Sequence, residues 1–293
     1  MRTLTLVVAI LCASFIYAQE ETVISGKLLG YDKKPMVLAH AHLIKTPNPK
    51  PLVQVKAQSD GSFSMSTKET GLLVVEFTGV NHMALDVPLL IEKPLKLELS
   101  VTLATYSYAD EMKDVKIMTD MTNYAFDKAQ PMQKQSDGTF AIELQATKDK
   151  VTYQILGAEK SSRSVNGTQS EAFEYDDGGD YRSIVAAKEG MVKIVFDPSK
   201  TIRSTAEAVV TFSDPASAVA KIAGIQMEVS KRSAVIATAM NAFVKAGNDW
   251  KKFSYDWSAD QASIVSRLQT EKDPLIRQAL LLNYVDTKSK FAT

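Results

Sequence analysis

His40 and His42, in the segment Leu38-Ala39-His40-Ala41-His42-Leu43-Ile44, are the residues whose types and spacing most directly suggest chemistry. Residues two apart on a strand project from one face, so two imidazoles would stand side by side and could bind Zn²⁺ or Cu²⁺. Such a site needs at least a third ligand, which His82 or a nearby carboxylate would have to supply. A structural reading competes with the metal one. Leu38 and Ile44 continue the same face, which would make His40 and His42 partly buried or rim residues. Asp176, Asp177 and Asp180 around Gly178-Gly179 could offer oxygens to Ca²⁺, but they lack the spacing of an EF-hand loop and fit an acidic hairpin turn equally well. Tyr124, Phe126 and Tyr153 could stack on a sugar ring, or could be core residues of alternating strands.

Other chemistries find little footing. No Gly-rich phosphate loop, Gly-x-Ser-x-Gly elbow or His-Glu-x-x-His helix occurs. Asn166-Gly167-Thr168 is formally a glycosylation sequon, but Asn-Gly also serves as an ordinary turn. The single cysteine, Cys12, falls in a leading apolar stretch. Met1-Arg2-Thr3 followed by Leu4 to Tyr17 reads as a secretory signal peptide over residues 1–18, with Ala18-Gln19 as the cleavage point. Its removal would leave no disulfide, no thiolate nucleophile and no Cys-x-x-Cys pair. The formal net charge is zero, so no basic field attracts nucleic acid or an anionic membrane. The expectation is an exported protein of the periplasm or cell envelope, with no membrane span after cleavage. It would be non-enzymatic and hold no cofactor, and a metal-dependent enzyme using His40 and His42 is the minority alternative.

The elements that must position these residues are mostly strands. From Glu20 to about Tyr106, seven β-rich runs alternate with turn chemistry: Val23–Leu28, Val37–Ile44, Val53–Lys56, Phe63–Ser66, Leu72–Phe77, Ala84–Ile91 and Leu95–Leu103. That density predicts a small antiparallel sandwich over residues 20–106. A second set, Val115–Met118, Met132–Lys134, Phe140–Leu144, Val151–Leu156, Tyr181–Ala186 and Met191–Phe196, predicts another over 110–200. Each region contains a Ser-Asp-Gly turn, Ser59-Asp60-Gly61 and Ser136-Asp137-Gly138, which reads as an Asp-Gly β-hairpin with φ > 0 at its central residues. From about Ser204 the chain turns alanine-rich. Asp214-Pro215, Ser258-Ala259-Asp260-Gln261 and Asp273-Pro274 read as helix starts, so 204–293 is a helical segment that could form a small bundle or dock on another domain. The fold class is therefore mainly β, two consecutive antiparallel sandwiches followed by an α-helical segment.

Three resemblances accompany this reading. Ser25-Gly26-Lys27-Leu28, Lys34-Pro35, Ala41-His42-Leu43-Ile44, Ser59-Asp60-Gly61-Ser62-Phe63 and Leu73-Val74-Val75-Glu76-Phe77-Thr78-Gly79 occur in an order that resembles the carboxypeptidase-regulatory-like (transthyretin-like) domain, a non-catalytic module. Met121-Thr122-Asn123-Tyr124, Met132, Ser136-Asp137-Gly138-Thr139-Phe140 and Val151-Thr152-Tyr153-Gln154-Ile155 are similar to the early-set sandwich of family-48 carbohydrate-binding modules. That likeness implies a glycan ligand, although Trp250 and Trp257 both lie outside the region. The whole order, ending in Leu275-Ile276-Arg277-Gln278-Ala279-Leu280-Leu281-Leu282-Asn283-Tyr284, resembles the region preceding the thioredoxin-like domain of TlpA-like envelope thiol-disulfide oxidoreductases. This implies an accessory or scaffold role, with an envelope protein or a thioredoxin-like domain docking on the C-terminal helices. The family's Cys-x-x-Cys pair has no counterpart in this sequence, so the redox activity does not carry over.

Overall fold

The computed structural model describes residues 21–281, except 46, 47, 49, 161, 162, 204–206, 248, 250, 253–257, 275 and 279. The signal peptide, Trp250 and Trp257 thus lie outside the described residues.

Seven strands build the first sandwich: β1 (Thr22–Leu29), β2 (Ala39–Lys45), β3 (Val53–Lys56), β4 (Ser62–Thr67), β5 (Gly71–Gly79), β6 (Leu85–Ile91) and β7 (Lys96–Thr102). One sheet runs β3-β2-β5-β6, and the other contains β7-β1-β4 with β1 and β7 parallel. Alternation explains the layering. Ile24, Ala39, Ala41, Leu43, Val75 and Phe77 point into one buried core while their strand neighbours point out. The parallel pairing is close at Gly26, where an added Cβ would stand 1.7 Å from the Leu99 carbonyl oxygen, so only glycine fits.

The second sandwich comprises β8 (Lys116–Thr119), β9 (Gln130–Pro131), β10 (Gln133–Lys134), β11 (Phe140–Gln145), β12 (Lys150–Leu156), β13 (Ala172–Tyr175), β14 (Tyr181–Ala186) and β15 (Met191–Phe196). Its sheets are β10-β11-β15 and β13-β14-β12-β8-β9, around a separate core that includes Ile117, Val151, Tyr153, Ile155 and Phe196.

Two expectations about the Ser-Asp-Gly turns need correction. Only the second is a hairpin, joining β10 to β11. The first carries the chain between sheets, because β3 pairs with β2 while β4 pairs with β1. Nor are both central residues at positive φ. Gly61 (75°) and Gly138 (85°) are left-handed, and neither Asp60 nor Asp137 is. In each turn the Asp Oδ1 accepts the backbone N–H two residues on, from Ser62 at 3.0 Å and Thr139 at 3.0 Å. This is the three-residue solution, a tight turn closed by a left-handed glycine, and it suits both a hairpin and a sheet crossing.

The segment after 204 does not begin helically. β16 (Val209–Phe212) returns to the first sandwich and pairs antiparallel with β7, and α1 (Ala218–Lys245) follows. Ser217 caps α1, its Oγ accepting from Ala220 N–H at 3.1 Å. Val219 and Ala223 of α1 join the first core, and the helix lies along β6, covering an edge that would otherwise be open. α2 (Ser258–Thr270) packs beside α1 through the Arg267–Glu228 ion pair, with Glu228 itself buried. No helix among the described residues is long and apolar enough to cross a membrane.

Candidate functional site

His40 and His42 lie on the outer face of the first sandwich, as their alternation predicts, but that face is covered. The β13–β14 hairpin of the second sandwich packs on it, leaving His40 8% and His42 1% exposed. His40 Nδ1 lies 2.7 Å from the Tyr181 hydroxyl, and its ring stacks on Tyr175 at a 3.7 Å centroid separation and 10° between planes. His42 Nδ1 lies 3.0 Å from Glu76 Oε1, and its Nε2 is hydrogen-bonded to the Tyr175 hydroxyl. An ionised Glu76 only accepts, so Nδ1–H donates to it. In the neutral ring Nε2 then accepts from Tyr175. Both nitrogens of His42 are engaged.

Strand register sets this row. Across β2, His40 stands between Lys56 on β3 and Thr78 on β5, and His42 between Gln54 and Glu76. From the other sandwich, Asp177 Oδ1 accepts from Gln54 Nε2 at 3.3 Å. The buried Thr78 Oγ1 makes no hydrogen bond of its own among the described residues. Desolvation, the neighbouring His42 and Lys56 push the His40 imidazole down to about 4, with Asp177 acting weakly the other way. Burial likewise raises the Tyr175 and Tyr181 phenols well above their ordinary range, so both remain protonated donors.

The third ligand proposed for a metal does not join the pair. His82 Nε2 accepts from Tyr31 N–H at 3.2 Å, and its Nδ1 donates to the Val80 carbonyl at 2.7 Å. Among the described residues, no group of three or more His, Cys, Asp or Glu side chains is arranged to hold a metal ion. The aspartate cluster is also committed. Asp176 Oδ1 accepts from Gly178 N–H at 2.9 Å and Asp180 N–H at 3.0 Å, while its Oδ2 pairs with Arg182 at 3.0 Å. Asp176 therefore shapes the hairpin turn, and the turn aims Tyr175 and Tyr181 at the histidines.

The three aromatic candidates separate. Tyr153 is fully buried in the second core, so it has no face open to a sugar and is the core residue that strand alternation offered as the other reading. Tyr124 is half-buried at a positive φ of 53°, its hydroxyl bonded to Thr152, with the Arg182 guanidinium 3.9 Å from the ring centroid. Phe126 is 74% exposed and is the one candidate open to a ligand. The sequon residue Asn166 is buried, and Gly167 N–H donates to Ser183 Oγ at 2.8 Å.

The residues that sequence reasoning missed are Tyr175, Tyr181 as a partner rather than a strand residue, and Glu76. The available signal was Phe173 and Tyr175 alternating just before an Asp-Gly-Gly turn, which marks a hairpin arm.

No family model matches this sequence, and no curated protein matches it. Similar solved structures include 3-chlorocatechol 1,2-dioxygenase from Rhodococcus opacus, at 9% identity over 30% of this chain and 61% of that one, TM-score 0.24. SusF from Bacteroides thetaiotaomicron matches at 11% identity over 66% of this chain and 51% of that one, TM-score 0.26. A DUF3823 family protein from Parabacteroides merdae matches at 12% identity over 66% and 89%, TM-score 0.23. The chain spans less than two thirds of the length of the first two. At these scores the likenesses carry no argument about function.

Proposed function

We propose that this chain is a non-catalytic scaffold or binding protein of the cell envelope, in which a second sandwich is held in fixed orientation on a first. One observation carries the reading: the side chains best suited to chemistry, His40, His42, Glu76, Tyr175 and Tyr181, bond to one another across the contact between the sandwiches. A general base or metal ligand needs a nitrogen free to meet substrate or ion, and His42 has none. The return of β16 and α1 to the first sandwich supports the same view, since the chain enters and leaves the second sandwich from one support. Export rests on the apolar leader at residues 1–18. An accessory role beside an envelope thiol-disulfide oxidoreductase would suit such a support and is the partner class we propose. The test is turnover. Purified protein assayed against ester, peptide, phosphate and glycoside substrates, with and without added Zn²⁺, should give no activity. Hydrolysis that is lost in His42→Gln would overturn the proposal.

A further inference from the structure

We propose that the contact of His40 with Tyr175 and Tyr181 is an acid-released latch, in which protonation of His40 lets the second sandwich swing away from the first; the idea rests on the fixed orientation proposed above. The geometry makes His40 the sensitive member. Its ring is enclosed between two β strands of one sandwich and two tyrosines of the other. The groups facing it are His42 from β2, Lys56 from β3, Glu76 and Thr78 from β5, and Tyr175, Asp177 and Tyr181 from the hairpin. A proton on His40 would enclose a cation between the sandwiches beside Lys56 and His42, with the exposed Asp177 acting the other way and Glu76 already bonded to His42. His42 differs in its partner, because its Nδ1 is hydrogen-bonded to the Glu76 carboxylate.

The sign follows from linkage. His40 binds a proton less readily in the closed contact, where burial under the hairpin is the largest cause holding it down to about 4, than in an open form that has lost that burial but keeps Lys56 and His42 beside it. The open form therefore gains population as pH falls through 6.5, and the gain levels off below about 4. The open-to-closed ratio should rise by at most roughly tenfold per pH unit below 6.5 and by at most about 100-fold near pH 4, less to the extent that Lys56 and His42 also hold the open form's imidazole down. Carboxyls work against it. Asp86 and Asp180 are held above their ordinary value by desolvation first, then by Glu76 and Asp176 respectively, an effect that water softens because both side chains are exposed. They favour the closed form once they protonate, so the clearest window is pH 6.5 to 5.

The experiment is a spin-label or fluorescence distance measurement between Glu92→Cys on the first sandwich and Thr147→Cys on the second. It is read from pH 7.5 to 4.5 in protein with the leader removed. The expected result is one narrow distance at pH 7.5 and a growing second distance below pH 6.5. His40→Gln, which keeps a hydrogen-bonding group but does not titrate, and His40→Phe, which keeps the stack on Tyr175, should both lose the transition in that window. A narrow distance at every pH, or a transition that persists in both variants, overturns the latch. A broad distribution already present at pH 7.5 in the unmodified site would instead overturn the fixed orientation.

Discussion

Tyr175→Phe isolates the central bond of the contact. The substitution keeps the ring that stacks on His40 at 3.7 Å and removes only the hydroxyl that meets His42 Nε2. His42 is 1% exposed, so water does not replace the lost donor. Leaving a buried acceptor unpaired costs about 1–3 kcal/mol, against well under about 0.5 kcal/mol for removing a hydroxyl from an exposed tyrosine. His42→Phe removes the acceptor and frees Glu76, which is 27% exposed at its side chain and can be solvated. In the double variant the two losses should overlap, giving a coupling energy of about 1–2 kcal/mol. Urea denaturation followed by far-UV circular dichroism gives each value, provided the slope with denaturant is unchanged across the four proteins. A coupling within about 0.3 kcal/mol of zero would mean that the hydroxyl and imidazole do not depend on each other. The contact would then not be the bond that joins the sandwiches.

Ending the chain after Arg203 removes β16 and α1, and with them Val219, Ala223 and the partly buried Phe212 from the first core. Burial of Val219 at about 1.5 kcal/mol or more, with a smaller share from the half-buried Phe212, predicts a loss of about 2 kcal/mol or more, read as a lower urea midpoint; an unchanged midpoint would show that the first sandwich is complete without the returning segment. Gly26→Ala should cost more than about 3 kcal/mol, because its Cβ would meet the Leu99 backbone rather than a yielding side chain. A melting temperature within 2–3 °C of the unmodified protein, roughly 1 kcal/mol for a chain of this size, would contradict the close pairing of β1 and β7.

The strands were legible wherever alternation was long enough. Leu95–Leu103 has an apolar residue at every second position, and a single buried face imposes that pattern, whereas Leu72–Phe77 was legible only as a β-rich run between turns. What escaped was short or non-local. β16 is four residues in a stretch whose alanines suggest helix, and its place is decided by the free edge of β7, about a hundred residues earlier. The first Ser-Asp-Gly turn has the same local chemistry as the second. Local sequence fixes the turn geometry, while the sheet that receives the next strand is chosen by packing of the whole sandwich.

The histidines show where such reading stops and what the fold adds. Spacing alone placed His40 and His42 on one face, and either a metal or a neighbour could have met them there. The partners lie 141 residues away for His40 and 133 for His42. Nothing in a local window carries that information. The choice of polar groups at this contact also has a physical reason. Each sandwich already encloses its own apolar core, so the covered outer face of β2 need not be greasy; it needs groups that are satisfied only in one alignment. An apolar contact of similar area would tolerate sliding by a strand. A histidine whose two nitrogens require a carboxylate on one side and a phenol on the other does not. Of the two, only His40 lacks a counter-charge bonded to its ring. The same row of side chains that satisfies His42 on both sides thus leaves His40 between two tyrosines, which is the residue the proposed latch rests on.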